Sequence, residues 1–271
     1  MPELADTALT KDTALGWIDR WDRQQEESLP DREERFTALI DAVELGTGRP
    51  DPLIIDLGAG PGSLSVRLLD RMPRATVVAV DTDPVTLALG RAAYGGRPGL
   101  RFADVDLRTP GWGAALGLPR PADAAVSTTA LHWLSAPDLR RLYAELATVL
   151  RPGGLLLDGD HLGSGPGSPT LARLEHEMTE LEDRRRFPDG HGEGWTRWWE
   201  AAAADPVLSG LTAERAQRSV DANHHGSPAG LLETHVDALR AAGFTEVGTL
   251  WQRGGNRLLC GVLGGAVQNP V

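Results

Sequence analysis

The sequence predicts an α/β protein with a mostly parallel sheet between helical layers. Three observations predict it. Short apolar runs alternate with helical segments from residue 53 to 158. The first three of these runs lead into aspartates, Asp56, Asp81 and Asp104. The turn Gly58-Ala59-Gly60-Pro61-Gly62 joins the first run to a helix. Strands that alternate with helices form parallel βαβ units with right-handed crossovers.

The elements follow in order. Ala14, Leu15, Trp17, Ile18 and Trp21 share one helical face, and Phe36, Leu39, Ile40 and Val43 share another. Pro30 is expected to start the second helix, with Asp31, Glu33 and Glu34 in its first turn, where the helix dipole favours acids; Gly46 and Gly48 end it. Leu53–Leu57 is a continuous apolar strand buried on both faces. A helix at Ser63–Arg71, a strand at Thr76–Asp81 and a helix at Pro84–Tyr94 come next. Strands at Leu100–Ala103 and Ala122–Ser127 precede a helix at Pro137–Leu150, which Pro152-Gly153-Gly154 stops. Leu155–Asp158 is the fifth strand.

From residue 161 to 226 this rhythm breaks. Gly, Ser and Pro dominate 163–169, and helical stretches Leu171–Arg186 and Trp195–Ala204 follow. Ser227 and Pro228 then read as the start of a helix that runs to Ala242, before Gly243. Strands near 245–252 and 256–263 are joined by Arg253-Gly254-Gly255-Asn256, a hairpin link, so the last strand should be antiparallel. The organisation is a helical cap (1–48), a core (49–160), a helical lid insertion (161–226) and a C-terminal part of the core (227–271).

Composition narrows the partners. The chain has 271 residues and a net charge of −11, which repels a phosphate backbone and argues against nucleic acid. Arg184-Arg185-Arg186 is a basic run, but Glu180, Glu182 and Asp183 flank it. The single cysteine, Cys260, rules out an internal disulfide and a thiolate metal cluster. His224-His225, with His191 and His161, matches no metal-ligand spacing, so no metal is expected. Neither a secretory signal nor a bilayer-length apolar run is found, so a soluble, cytoplasmic, non-membrane protein is expected.

The glycine turn is the chemical signal. Glycines let backbone approach a ligand, and the helix that follows offers free N–H donors. A dinucleotide fingerprint needs a third glycine three residues after the second. Ser63 stands there, and the third glycine is one residue early, at Gly62. Asp81 ends the second strand about 20 residues on, where a carboxylate accepts ribose hydroxyls; Thr82-Asp83-Pro84 continues the turn. Asp104-Val105-Asp106-Leu107 follows the third strand, where a carboxylate accepts from an adenine amino group. Such strand ends line the ligand crevice of a parallel sheet.

These residues resemble a family. Ile55-Asp56-Leu57-Gly58-Ala59-Gly60-Pro61-Gly62, Val78-Ala79-Val80-Asp81, Phe102-Ala103-Asp104-Val105-Asp106-Leu107, Leu150-Arg151-Pro152-Gly153-Gly154 and Leu239-Arg240-Ala241-Ala242-Gly243-Phe244 look like a class I S-adenosylmethionine-dependent methyltransferase. The resemblance covers residues 50–160 and 228–264. It implies a Rossmann-like sheet of order 3-2-1-4-5-7-6 with strand 7 antiparallel. It implies S-adenosyl-L-methionine as cofactor, leaving as S-adenosyl-L-homocysteine. The cofactor-binding residues would be Asp56, Gly58, Gly60, Gly62, Asp81, Thr82, Asp106, Leu107 and Thr128. Among these Gly58 and Gly60 would approach the methionine part, Asp81 would hold the ribose, Asp106 would read the adenine with Asp104 as the alternative reader, and the backbone around Thr128 would flank the methionine amino group.

Methyl transfer from a sulfonium is an in-line displacement that needs a base only if the acceptor must lose a proton. Ser127-Thr128-Thr129-Ala130-Leu131-His132-Trp133-Leu134 follows the fourth strand and should face the methyl group. His132 is the candidate base or substrate contact; the alternative is a histidine that only bonds backbone. Trp133, Trp17 and Trp21 are candidate walls of an acceptor pocket, or glue between lid and core. No Asn/Asp-Pro-Pro-aromatic run and no cysteine occur near strand four, which argues against nucleic-acid amine or cytosine C5 methylation.

The sequence thus points to a small-molecule methyltransferase, monomeric or homodimeric, of the kind used in specialised metabolism. A protein of the same fold that binds the cofactor without methylating is the second reading. A nicotinamide-dependent oxidoreductase is the third, and Ser63 argues against it.

Overall fold

All five residues of Leu53–Leu57 (β1) are buried, so the strand meets apolar side chains on both faces. The computed structural model describes residues 8–29, 31–188, 190, 192–218 and 230–265, and sets β1 inside a seven-stranded sheet. The other strands are β2 (Thr76–Asp81), β3 (Leu100–Asp104), β4 (Ala122–Thr128), β5 (Leu150–His161), β6 (Phe244–Arg253) and β7 (Asn256–Leu263). Their order is β3-β2-β1-β4-β5-β7-β6. The first five are parallel, and β7 is antiparallel to β5 and β6. This is the predicted Rossmann-like order.

Alternation along the strands builds two cores. Ile54, Val77, Ala124 and Val126 point to a layer made by α2 (Arg32–Thr47) and α3 (Ser63–Arg71), which contribute Phe36, Leu39, Leu64 and Leu68. Leu53, Ile55, Val78 and Ala125 point the other way. They meet Leu142, Tyr143 and Leu146 of α6 (Ala136–Val149), Leu239 of α10 (Leu232–Ala241) and Trp112 of the short α5 (Trp112–Ala115). A third core lies outside the sheet. Ala14, Trp17 and Ile18 of α1 (Lys11–Ser28) pack with Val85 and Leu89 of α4 (Pro84–Tyr94) and with Trp198 and Ala202 of α8 (Gly194–Ala204).

Several boundaries differ from expectation. The fifth strand continues to His161, because residues 159–161 keep pairing with β7. The insertion holds α7 (Pro169–Arg186), α8 and a further helix, α9 (Ser209–Gln217), whose short length and weak apolar pattern hid it. Helix α2 begins at Arg32 with Asp31 as N-cap. The expected starts at Pro30 and at Ser227-Pro228 lie outside the described residues. No described helix is long and apolar enough to cross a membrane.

Two local contacts hold opposite edges of the sheet. At the amino edge, unexposed Asp123 accepts from Leu53 N (2.8 Å), Arg120 Nη1 (2.6 Å) and Arg151 Nε (2.8 Å), tying β1, β4 and β5. Burial alone would raise its pKa, but these donors win and hold it below the usual range. At the carboxyl edge, Gly58 has φ +67°, and a Cβ there would meet Ala130 Cβ at 2.4 Å. Removing the side chain at 58 lets the turn after β1 touch the segment after β4.

Asp123→Ala should destabilise the fold by about 2–3 kcal/mol, since it strands a buried N–H and two arginines; urea unfolding measures it. Gly58→Ala should cost about 2 kcal/mol or more from the left-handed backbone and the clash with Ala130. An unchanged unfolding midpoint in that variant would contradict the close approach.

Candidate active site

The carboxyl ends of β1, β2 and β3 form one edge. Asp81, at the end of β2, accepts through Oδ2 from Gly60 N (2.6 Å) and through Oδ1 from Thr82 N (2.7 Å) and Asp83 N (2.9 Å). The carboxylate therefore shapes the glycine turn. Burial still dominates and pushes Asp81 up to about 6. Asp56, unexposed, accepts from Ser65 Oγ (2.6 Å) through Oδ2 and is pushed up to about 7 by burial. Its Oδ1 is buried with no hydrogen-bond partner among the described residues. Gly60 and Gly62 take φ +55° and +91°, and a Cβ at Gly60 would face Trp21 of α1 at 3.8 Å.

The third strand supplies two carboxylates, each held by an arginine. Asp106 Oδ2 accepts from Arg108 Nη2 (2.9 Å) and Oδ1 from Arg108 N (2.8 Å). Burial would raise Asp106, yet the arginine holds it below its ordinary value. Asp104 accepts from Arg218 Nη1 (2.9 Å), which also donates to Thr82 O (2.9 Å). Arg215 of α9 reaches Asp83 (2.5 Å). The lid insertion is thus pinned to this edge by two arginines. Leu107 packs on the core face of the sheet.

The ends of β4 and β5 form the other half of the same carboxyl edge. Thr128 ends β4, and Thr129 has φ +49°, an uncommon conformation for a β-branched residue, held by Thr129 N donating to Gly159 O (2.9 Å). This bend turns the chain into a single 3₁₀ turn, Leu131–Trp133, which carries His132. His132 Nδ1 lies 2.8 and 2.9 Å from the two oxygens of unexposed Asp160. Burial would lower the imidazole pKa, but the Asp160 charge and hydrogen bond win and raise it. In return the imidazole outweighs burial and draws Asp160 well below the carboxylate range. With Nδ1–H donating to Asp160, the neutral ring keeps its lone pair on Nε2. His132 is therefore not the histidine that only bonds backbone.

Tryptophans bridge the two halves. Trp133 lies 4.9 Å from His132 and 6.4 Å, near-parallel, from Trp195 of α8. Trp195 in turn lies 5.4 Å from Trp21. Trp21 and Trp133 are thus linked through Trp195, whereas Trp17 is buried edge-on against Trp198 in the third core.

Sequence reading missed Asp160 and Arg35. Asp158-Gly159-Asp160-His161 was a further acidic strand end, so Asp160 was open to the same argument as Asp81. Arg35 gave no signal, because its partners Thr128 and Asn256 are 93 and 221 residues away. Among the described residues no group of three His, Cys, Asp or Glu is arranged to hold a metal ion, and His191, His224 and His225 lie outside them.

The residues present fit an adenosyl cofactor. A Cβ at Gly60 would meet nothing nearer than Trp21 at 3.8 Å, Asp56 Oδ1 has no hydrogen-bond partner among the described residues, and acids stand at the ends of β2 and β3. Comparison with known proteins agrees. Residues 54–154 match the family model "Methyltransferase domain". Trans-aconitate 2-methyltransferase of Deinococcus radiodurans is 33% identical over 183 residues, 66% of this chain and 61% of that protein. Malonyl-[acyl-carrier protein] O-methyltransferase of Halorhodospira halophila is 33% identical over 202 residues, 67% of this chain and 62% of that protein. The chain thus spans about three-fifths of the length of these curated relatives. Among solved structures, an O-methyltransferase family protein of Burkholderia thailandensis shares the fold, with TM-score 0.54 and 20% identity over 94% of this chain and 63% of that one. Human N-acetylserotonin methyltransferase, solved with S-adenosylmethionine, aligns with TM-score 0.51 and 17% identity over 94% of this chain and 57% of that one. The sheet order, the glycine turn with its acidic strand ends and these relatives agree: residues 54–154 match a methyltransferase domain, the chain is similar to class I S-adenosylmethionine-dependent methyltransferases, and S-adenosyl-L-methionine is the cofactor that this similarity supports.

Proposed function

We propose that the chain transfers a methyl group to a small-molecule acceptor whose nucleophilic atom lies against His132, as in specialised metabolism. The His132–Asp160 pair beside the glycine turn carries this reading. When bound, the cofactor supplies an electrophilic methyl on a sulfonium. The chain's own residues do the rest. Asp81 and Thr82 hold the ribose, and Asp56, Gly58, Gly60, Gly62 and Thr128 surround the methionine part. Asp106 and Leu107 receive the adenine, Arg108 yielding to it. His132 Nε2 takes the acceptor's proton, and Asp160 steadies the imidazolium. Trp133, Trp21 and Trp195 keep water from the reacting atoms.

A second reading has one observation in its favour. The two relatives are named for trans-aconitate and malonyl groups, whose carboxylates need no base. There a protonated His132 would hold the anion. The raised pKa of His132 suits both readings, but the pH dependence differs in sign. A base must be neutral, so kcat/KM should rise as pH rises through the His132 pKa, above the ordinary ~6.5. An anion anchor must be charged, so kcat/KM should fall over the same range.

With acceptors of both types and their pH profiles measured, His132→Ala should lower kcat about 10²- to 10⁴-fold under the base reading. Unchanged turnover removes His132 from the chemistry. Asp81→Asn should weaken S-adenosyl-L-homocysteine binding about 10- to 100-fold in calorimetry, the value of hydrogen bonds to a charged group; wild-type affinity would exclude Asp81 from the ribose site. Cofactor binding without turnover on a broad acceptor panel would favour a non-methylating protein.

A further inference from the structure

Arg35 belongs to α2, outside the βαβ units, yet its side chain has no exposure. It crosses the end of the sheet between β4 and β7. Nη2 donates to Thr128 Oγ1 at 2.7 Å and Nη1 to Asn256 Oδ1 at 2.6 Å. Its path runs over Gly159 of β5, where a Cβ would stand 2.9 Å from Nε and 3.0 Å from Cδ. Any side chain at 159 would displace the guanidinium.

Strand alternation turns Asp158 and Asp160 to the face opposite Arg35. Both carboxylates are unexposed. Asp160 holds His132; Asp158 lies 3.3 Å from His235 Nδ1, which also lies 2.7 Å from Tyr143 Oη. The charged and titratable groups acting on His132 are Asp160 and Asp158 of β5, which favour the imidazolium, and Arg35 of α2, which opposes it; His161 stands beside Asp160. Burial brings Arg35 down to about 10, still charged at neutral pH. A buried charge is screened less than one in water.

We propose that Arg35 is a positioning residue of the acceptor edge: anchored on Thr128 and Asn256, its guanidinium opposes the field of Asp158 and Asp160 and so sets how readily His132 takes a proton. One cation reached from a cap helix thus fixes the end of β4 and offsets two buried carboxylates. Without it the imidazolium gains stability, and less of His132 is neutral at a given pH. The catalytic consequence rests on the reading of His132 as base; the charge relation does not.

The test is an NMR titration of the full chain with labelled histidine, the His132 signal being assigned by its loss in His132→Ala. Arg35→Met should raise the His132 pKa by about one unit. Arg35→Lys, which keeps the charge, should return most of that shift. Gly159→Ala keeps the arginine but pushes its guanidinium aside, and should raise the pKa by a smaller amount. If folded Arg35→Met titrates His132 as the wild type does, the proposal is overturned. Should Arg35→Met fail to fold, Gly159→Ala decides: an upward shift supports the proposal and no shift overturns it. Measuring kcat/KM in the same buffers separates the two claims. An acid limb that moves with His132 supports both. A limb that stays while the NMR titration moves leaves Arg35 in place and removes the base reading.

Discussion

The contact between Gly58 and Ala130 is where the halves of the site meet. β1 has β2 on one side and β4 on the other. The helix leaving β1 covers one face of the sheet, and the helix leaving β4 covers the other. Such a reversal opens a crevice at the carboxyl ends of the two strands. The missing side chain at 58 brings the glycine turn against the residues that lead to His132. The turn after β1 and the segment after β4 share one edge because two neighbouring parallel strands end there.

Electrostatics at this edge is a matter of compensating carboxylates one by one. Asp81 has three backbone N–H donors, Asp160 a histidine, and Asp106 an arginine. Asp56 has a single serine and an oxygen without a donor. The outcomes diverge accordingly. Burial outweighs the donors at Asp56 and Asp81, while the charged partners outweigh burial at Asp106 and Asp160. A neutral donor returns only part of what desolvation removes; a nearby cation returns more.

The insertion is tied to the core by two unlike devices. At the ends of β2 and β3, Arg215 and Arg218 reach Asp83 and Asp104, the first a largely buried pair and the second a half-exposed one. Next to the 3₁₀ turn, Trp195 and Trp198 join indoles of α1 and of that turn.

By itself the sequence determined the sheet order, the glycine turn and the acids at the ends of β1, β2 and β3. The sheet order is what the family resemblance implies; the turn and the acids rest on local patterns: strand period, turn chemistry, and spacing within one βαβ unit. It also singled out His132, by its place after β4. The partners of these groups were decided only in three dimensions. Asp160 meets His132 across 28 residues, and Arg35 meets Asn256 across 221. Nothing in the spacing of α2 marks Arg35 as different from Arg32, since both lie on a helix that reads as an ordinary amphipathic cap. Both are buried, Arg32 on Asp22 and Phe36, but only Arg35 lies over Gly159 in the sheet, and that is a property of the packed chain. The sequence named the candidate groups, and the tertiary structure decided which charges surround them, because long-range packing chooses the neighbours that set a proton affinity.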